Sequence, residues 1–279
     1  MPLTPSETRK LLDHLGHRPQ KKLGQNFLVD GNLVKKSISL ANPESTQQVL
    51  EIGPGLGTLT NELLNCGVVV HAVEIDPTLV TYLLQKFSGP ITEKKLFLSE
   101  VDAVKKPTGF HLPPGCDFQV IANLPYAISS PWFESILNCP TLPKSLTLML
   151  QKEASDRMWA KPGTKNYNAL SIFLQASYQL KNSHAVSKQC FHPIPAVDSV
   201  LIHMERLEKP FIFPEKTRKL IRKIFTKRRK QMGAIIKQEA GEVAHFLEKW
   251  MNETNLPRDS RPEQVVSSDW QRLSQMLQD

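Results

Sequence analysis

Cysteine is scarce in this chain of 279 residues, and its few thiols are far apart. The four cysteines are Cys66, Cys116, Cys139 and Cys190, and no two of them form a C-x-x-C pair. The eight histidines are equally scattered and show no zinc-binding spacing. We therefore expect reduced, structural thiols and no metal site.

The sequence also lacks any long hydrophobic run. Residues 1–22 contain no apolar core beside a cleavage site, and no stretch approaches membrane-spanning length. These absences predict a soluble, cytoplasmic protein with no membrane partner, and we expect it to be a monomer. Neither a Gly-x-Ser-x-Gly motif nor a Cys/His arrangement indicates a covalent nucleophile. A chain with 40% hydrophobic residues can still bury a large core, which fits one large domain and a small one.

Positive charge is concentrated in one segment. The net charge is +8, and residues 205–230 contain eleven Lys or Arg against three Glu, so the remainder of the chain is balanced. Such a block favours binding to a polyanion such as a nucleic acid, and the alternative is a solvated helix face. The cations predicted to make the contacts are Arg222, Lys223, Lys227, Arg228, Arg229 and Lys230.

Strand and helix patterns alternate from Val49 to Val104. Short apolar strands are expected at residues 49–53, 68–76 and 96–98, with helical stretches between them. This spacing predicts a parallel, doubly wound sheet of the α/β class, extended by further strands at Val120, 145–150 and 200–204. A helix is expected over 169–180. After Arg206 the alternation stops, so residues 207–279 are predicted to form a small all-helical domain beside a sheet domain of residues 1–206.

A glycine-rich turn follows the first of these strands. In Gly53-Pro-Gly-Leu-Gly57, Gly53 and Gly55 let a ligand approach the backbone. The dinucleotide fingerprint needs a glycine where this chain has Thr58, which disfavours a dehydrogenase. Glu74 and Asp102 end the next two strands, where carboxylates can accept ribose hydroxyls and an adenine amino group. Together these residues indicate an adenosine-containing cofactor that does not need a pyrophosphate.

A second rigid turn ends the strand at Val120. It carries the amide of Asn123, the backbone carbonyl of Leu124, Pro125, which stiffens the chain, and the ring of Tyr126. Two acceptors and a flat ring suit a planar base that bears an amino group, whereas the alternative is a proline turn with Tyr126 in the core. Phe191 precedes two prolines and either covers the second face of such a base or packs in the core.

The N-terminal part contains fewer signals. Residues 5–22 are expected to form a mobile basic arm with a short helix over 6–15, and Asp30 is expected to cap a helix over 31–41. The amides of Gln25 and Asn26, taken alone, are ordinary loop residues. The basic loop at Lys161–Lys165 is equally consistent with a surface connection and with a substrate contact.

These segments resemble the ribosomal-RNA adenine N6-dimethyltransferases of the small-subunit type. The matching segments follow one another in the expected order: Gly24-Gln-Asn-Phe-Leu28, Glu51-Ile-Gly-Pro-Gly-Leu-Gly-Thr-Leu-Thr60, Val73-Glu-Ile-Asp76, Asp102-Ala103, Asn123-Leu-Pro-Tyr126, Ile128-Ser-Ser-Pro131 and Phe191–Ser199.

The resemblance implies a Rossmann-like methyltransferase that uses S-adenosylmethionine. Its substrate would be two adjacent adenosines near the 3′ end of 16S rRNA in the assembling small ribosomal subunit. Residues implied to contact the cofactor are Asn26, Leu28, Gly53, Gly55, Glu74, Asp102 and Asn123. The catalytic group would comprise Asn123, Leu124, Pro125, Tyr126 and Phe191, with Tyr126 and Phe191 holding the flipped adenine between them.

Two departures from the family pattern concern RNA contacts. Members usually show Tyr-Gly-Arg-Leu-Ser where this chain has Tyr167-Asn-Ala-Leu-Ser171, and Thr-Leu-Arg-Asn where it has Gln231-Met-Gly-Ala234. Three other functions are considered: a 23S rRNA adenine dimethyltransferase, a non-catalytic small-subunit assembly factor that binds rRNA, and a small-molecule methyltransferase. The last would not need the basic segment.

Overall fold

The computed structural model describes residues 3–277, and these residues form two compact units. The sheet unit contains the described residues up to Ser155 together with Gln179–Arg206. The helical unit contains Asp156–Tyr178 and the described residues from Leu207 onward. Residues 156–178 therefore cluster with the C-terminal helices, while the functional division predicted at residue 206 stays a prediction.

The strands of the described residues are short and fall mainly in the sheet unit. In chain order they are β1 (Phe27–Leu28), β2 (Gln48–Ile52), β3 (Val69–Glu74), β4 (Leu96–Glu100), β5 (Phe118–Asn123), β6 (Ser145–Gln151), β7 (Tyr178–Val186), β8 (Phe191–His192) and β9 (Ser199–Arg206).

The α-helices connect these strands and build the helical unit. They are α1 (Pro5–His14), α2 (Gly31–Ala41), α3 (Thr58–Asn65), α4 (Pro77–Lys86), α5 (Ser88–Thr92), α6 (Ser129–Ile136), α7 (Lys152–Met158), α8 (Ala169–Gln175), α9 (Glu215–Thr226), α10 (Met232–Ile236), α11 (Gly241–Glu253) and α12 (Ser267–Met276).

Seven strands form one sheet in the order β4-β3-β2-β5-β6-β9-β7. The strands from β4 to β6 are parallel, and β9 runs antiparallel to β6. The predicted doubly wound α/β sheet is confirmed. Because the chain moves outward from β2 through β3 to β4 and then returns to β5 on the other side, the strand order reverses between β2 and β5. Ligands bind at such a reversal, beyond the carboxyl ends of the strands.

Continuous apolar runs explain why the central strands are buried on both faces. Val49, Leu50, Val120, Ile121 and Leu148 are fully buried, as expected for a parallel sheet covered by helices.

The Asp30 carboxylate accepts hydrogen bonds from the backbone N–H groups of Asn32 at 2.8 Å and Leu33 at 3.0 Å, so the predicted cap of α2 is present.

The N-terminal segment is packed, whereas the sequence predicted a mobile arm. Its expected helix exists as α1, and Leu12 is buried against Phe27, Leu56 and Leu79. Leu11 and Leu15 pack beside the same cluster, which gives the otherwise polar segment an apolar face.

The helix predicted over 169–180 ends at Gln175, and Tyr178 begins strand β7. This strand lies at the edge of the sheet, and only its end residues Tyr178 and Val186 are buried. Because the residues between them are polar or exposed, the segment has no alternating apolar pattern from which a strand could be predicted.

The helical unit is built around stacked aromatic residues. The rings of Trp250 and Trp270 lie 5.2 Å apart, and Phe225 lies 5.9 Å from Trp270. In α9, Ile221 and Ile224 are buried and the lysines are exposed, as the helical spacing predicted. No helix within residues 3–277 has the length and apolar character needed to cross a membrane. The same residues contain no cluster of His, Cys, Asp and Glu suited to a metal ion.

Candidate active site

A cleft opens at the reversal point of the sheet unit. It contains about 930 Å³ of empty space, which includes open solvent at its mouth. Its walls are the loop at 23–28, the carboxyl ends of β2, β3 and β5, and the turn that follows β4. The predicted site residues that line it are Asn26, Leu28, Gly53, Gly55, Glu74, Asp102, Asn123, Leu124, Pro125 and Tyr126.

The glycine turn is held close to both walls of the cleft. Gly53 has φ +66°, and a Cβ atom there would lie 2.8 Å from Cγ of Pro125. Gly55 has φ +58°, and its Cβ would lie 3.0 Å from the ring of Phe27. A side chain at either position would therefore combine backbone strain with a steric clash.

The Glu74 carboxylate organises the turn after β3. One oxygen accepts hydrogen bonds from the backbone N–H groups of Ile75 at 2.9 Å and Asp76 at 3.0 Å, and the other accepts from Gly55 at 3.3 Å. Burial raises the pKa of Glu74, and these three donors oppose that rise because they stabilise the anion. Asp102 accepts from the backbone N–H of Val104 at 2.8 Å.

The Asn123 amide has a defined orientation. Its Nδ2 donates to the carbonyl oxygen of Asn26 at 2.8 Å, and Nδ2 of Asn26 donates to the carbonyl of Gly24 at 3.1 Å. Since a carbonyl can only accept, the NH₂ end of Asn123 must face Asn26, and Oδ1 faces the other way. The oxygen is thus the end of the amide that is left for a ligand.

The loop carrying Asn26 is tied through Gln25 to Asp76, the residue that caps α4. Nε2 of Gln25 donates to Asp76 at 2.9 Å, and its Oε1 accepts from the backbone N–H of Gln20 at 2.8 Å. His17 adds a contact of 3.1 Å to the same oxygen. Gln25, an ordinary loop amide by sequence, therefore holds one wall of the cleft.

Tyr126 lies at the cleft with its ring half-buried. Its hydroxyl and that of Ser199 are hydrogen-bonded to each other, and burial raises the pKa of Tyr126. Phe191 is only 1% exposed and packs in the core, where it pairs with Leu28 between β1 and β8. The Phe191 ring contacts Tyr126 edge-on, with centroids 6.4 Å apart. In this structure Phe191 is therefore packed in the core, which was one of its two predicted positions. Its contact with the second face of a base stays a prediction.

One acidic residue in the cleft was missed as a site residue. Glu51 lies in β2, is 1% exposed, and accepts a hydrogen bond from the hydroxyl of Thr60 at 2.7 Å. The signal was present in the sequence, because a lone carboxylate interrupts the apolar strand 49–52.

The charge of the cleft distinguishes between classes of cofactor. Its lining includes Glu51, Glu74 and Asp102 but no Lys, Arg or His. Such a lining suits a ligand with positive charge and disfavours a di- or triphosphate. S-adenosylmethionine, which combines an adenosine with a sulfonium cation, fits these residues.

The predicted RNA-contacting cations lie in the helical unit, and several have acidic partners there. Lys223 and Lys227 both pair with Glu239, and Arg228 pairs with Glu263 at 2.7 Å. The remaining three differ in their surroundings: Arg222 lies over the ring of Phe173, Lys230 bonds to Gln238, and Arg229 is exposed. The block is therefore not a row of free charges.

The two departures from the family pattern have structural roles in the helical unit. Asn168 caps α8 by accepting from the backbone N–H groups of Leu170 at 2.9 Å and Ser171 at 3.4 Å. In the second segment Met232 is buried, and a Cβ on Gly233 would lie 3.1 Å from the carbonyl of Arg258.

The sheet has a cleft at its reversal point, and this cleft is lined by the glycine turn, the acids on β2 and β3, and the Asn123 turn. Together these features define a methyltransferase that uses an adenosine-containing cofactor. The chain belongs to the ribosomal RNA adenine dimethylase family, whose sequence model matches residues 16–279. It is accordingly a ribosomal-RNA adenine dimethyltransferase, and membership of this family implies the use of S-adenosylmethionine.

Individual relatives agree with this assignment. The ribosomal RNA small subunit methyltransferase A of Opitutus terrae is 44% identical over 275 residues, which cover 98% of each chain. A dimethyladenosine transferase from Plasmodium falciparum superposes with a TM-score of 0.71 at 28% identity, covering 88% of this chain and 95% of that one. The 23S rRNA methyltransferase ErmE has a TM-score of 0.61 at 23% identity, covering 91% and 100%, and shows the fold alone.

Proposed function

We propose that this protein dimethylates N6 of two adjacent adenosines near the 3′ end of 16S rRNA during assembly of the small ribosomal subunit. The observation that carries the proposal is the fixed Asn123 amide, whose oxygen is left for a ligand at a cleft suited to a cationic adenosine cofactor. The relative named for the small subunit covers 98% of both chains and supports this choice of substrate. The protein would act as a monomer in the cytoplasm, where subunits assemble.

The residues proposed to hold the cofactor are distributed around the cleft. Glu74 would accept the ribose hydroxyls, Asp102 would accept the adenine amino group, and Gly53 and Gly55 would leave room for the ligand. Asn26 and Leu28 would form the opposing wall. The cofactor supplies an electrophilic methyl group on a sulfonium.

The chain's own contribution is to align the amine. A free adenine amino group is a poor nucleophile because its lone pair is delocalised into the ring. Oδ1 of Asn123 and the carbonyl of Leu124 would accept its two hydrogens, which favours a pyramidal nitrogen with its lone pair directed into the cleft. Alignment of this kind contributes roughly 7–11 kcal/mol in well-oriented systems. No base is needed before transfer, since the product ammonium loses its proton readily.

Tyr126 would stack on the flipped adenine, where each stacked base contributes about 1–3 kcal/mol. Phe191 now packs edge-on to Tyr126, so contact with the second face of the base requires its ring to leave the core. The basic residues of α9 and the following turn would bind RNA phosphates and position the substrate.

The proposal is tested by incubating unmethylated small subunits with the protein and labelled cofactor, followed by mass analysis of rRNA fragments. We expect dimethyladenosine at two adjacent positions near the 3′ end of 16S rRNA. Label confined to 23S rRNA would assign the protein to the large subunit. Cofactor binding without label in any rRNA would indicate a non-catalytic assembly factor.

A further inference from the structure

Glu51 is a buried carboxyl in the cleft that takes no part in the proposed alignment of the adenine amine. It lies in the apolar strand β2, and its oxygen accepts the Thr60 hydroxyl of α3 at 2.7 Å. Within residues 3–277 it takes part in no ion pair. It nevertheless lines the cleft in which the cofactor is proposed to bind.

The charged groups that face Glu51 come from the elements packed against β2. Glu74 of β3 lies in the same cleft and accepts from the backbone N–H groups of three residues, whereas the hydrogen bonds to Glu51 come from Thr60 alone. Lys86 of α4 lies near Glu51, but its ammonium donates to the carbonyl of Leu56 at 2.8 Å. Glu51 therefore has fewer neighbouring groups that stabilise its charged form than Glu74 has.

The pKa of Glu51 is raised for the same reason. Burial raises the pKa of Glu51 to about 8, and the nearby charge of Glu74 adds to the rise. The Thr60 hydroxyl and the Lys86 ammonium act in the opposite direction but are weaker than burial. A carboxyl with a pKa of about 8 is mainly protonated at neutral pH before the cofactor binds.

We propose that Glu51 distinguishes the sulfonium cofactor from its thioether product by releasing a proton when the cation enters the cleft. This inference rests on the proposed use of S-adenosylmethionine. S-adenosylmethionine has one more positive charge than S-adenosylhomocysteine, and that charge is located on the sulfur. An ionised Glu51 attracts the cofactor, and a neutral Glu51 accommodates the product.

The charges balance over one transfer. Cofactor binding releases one proton from Glu51 to solvent. When the methyl group forms its bond to the amine nitrogen and the sulfur–methyl bond breaks, the sulfur becomes neutral and the nitrogen loses one proton. Glu51 gains one proton at that stage. The enzyme with product bound thus has the same protonation as the empty enzyme, and product leaves without an attractive charge.

The test is calorimetric titration of the full chain at about pH 7 in two buffers of different ionisation enthalpy. For S-adenosylmethionine we expect release of close to one proton per site from wild type, and for S-adenosylhomocysteine close to none. Glu51→Gln retains an acceptor for Thr60 but has no proton to lose. Its release should fall to what the ligand's own amino group contributes, so the difference between the two proteins isolates Glu51.

Affinity provides a second readout. A pKa change of one unit corresponds to about a tenfold change in binding, so Glu51→Gln should weaken the cofactor by about tenfold or more at pH 8.5. Its affinity for S-adenosylhomocysteine should change less than about twofold on the same basis. Asp102→Asn, a control in the same cleft, should weaken both ligands while proton release persists.

The outcomes separate the inference from the proposed function. If both ligands bind and wild type and Glu51→Gln release the same number of protons, the inference is wrong and the function stands. If neither ligand binds wild type, the function itself fails. Should the Gln variant not fold, wild type alone decides: the same pH dependence for both ligands between about pH 6.5 and 8.5 would overturn the role of Glu51.

Discussion

At the scale of single residues, the direction of the Asn123 amide depends on one hydrogen bond to a backbone carbonyl. The donor is on β5 and the acceptor, Asn26, is on a loop that Gln25 ties to Asp76. An asparagine without this partner could present either end to a ligand. The proposed acceptor role of Asn123 would therefore depend on the Asn26 carbonyl, in addition to the cofactor contact predicted for Asn26.

We predict that Asn123→Ala lowers the rate of methylation by about a hundredfold, the size of effect that loss of alignment produces. Affinity for rRNA should remain within about twofold of wild type, because phosphate contacts provide most of it. Incorporation of labelled methyl groups and filter binding measure the two quantities. Asn32→Ala, a change at an exposed asparagine on α2, serves as the control. Full activity of Asn123→Ala would remove the acceptor role.

A second prediction concerns the glycine turn. Gly53→Ala places a residue with a Cβ in left-handed backbone, which lowers the free energy of unfolding by about 1–2 kcal/mol. The contact of that Cβ with Pro125 lowers it by about 1–3 kcal/mol more. Gly115→Ala is the matched control, since φ is +71° there and no atom lies within 4 Å of the added Cβ. Denaturant unfolding should show a larger loss for Gly53→Ala, together with weaker cofactor binding. Equal losses for the two variants would mean that the approach to Pro125 is unimportant.

At the scale of elements, α9 and the turn after it have acidic partners that RNA would have to displace. Glu239 pairs with two lysines, and Glu263 with Arg228. These partners come from later in the chain, so spacing alone could not predict them. The amphipathic pattern correctly predicted α9 and its exposed lysines, but not which cations are paired. It was wrong for Arg218, which is 2% exposed and lies over the ring of Phe173.

Glu239→Gln should therefore tighten rRNA binding and steepen its dependence on salt, because Lys223 and Lys227 become available to phosphates. Glu248→Gln is the control, since it releases Arg258, which lies outside the predicted contacts. Filter binding at several salt concentrations gives both quantities. If both variants bind like wild type, the two lysines do not contact RNA.

Arg229 gives the complementary prediction. It is exposed and unpaired in residues 3–277, so Arg229→Ala removes a charge without disturbing an ion pair. We expect uniformly weaker binding and a salt slope reduced by about one. An unchanged slope would identify this part of the block as a solvated face.

The predicted strands also placed several candidate residues correctly at the cleft. Strand ends brought Gly53, Glu74, Asp102 and Asn123 to one cleft, because parallel strands end at the same edge of a sheet. Strand β7 was missed because its exposed residues show no alternation, and the packed N-terminal segment because few of its residues are apolar.

At the scale of the whole molecule, burial shifts the pKa values of two side chains in opposite directions. The pKa of Glu51 is raised to about 8, mainly by burial. Burial also lowers the pKa of His71 to about 4, and its ring stacks on Phe97 with centroids 5.1 Å apart. The folded state favours the neutral form of each group, so its stability falls where either group would be charged in the unfolded chain.

The two groups therefore lower the stability of the fold in different pH ranges. Glu51 costs stability as pH rises from its unfolded value of 4.5 to about 8, and His71 as pH falls from 6.5 to about 4. We predict that Glu51→Gln gains stability relative to wild type as pH rises through the first window. His71→Phe should reduce the loss of stability between about pH 6.5 and 4. Urea unfolding at several pH values measures both, and a pH-independent difference for Glu51→Gln would contradict the assignment.

The hydrogen bond between Asn26 and Asn123 and that between Tyr126 and Ser199 join residues far apart in the chain. During translation, a nascent polypeptide that has not yet emerged to Phe191 has neither strand β8, against which Leu28 pairs, nor the Ser199 hydroxyl that bonds Tyr126. A product truncated before Phe191 therefore lacks the contacts that hold Leu28 and Tyr126 at the cleft.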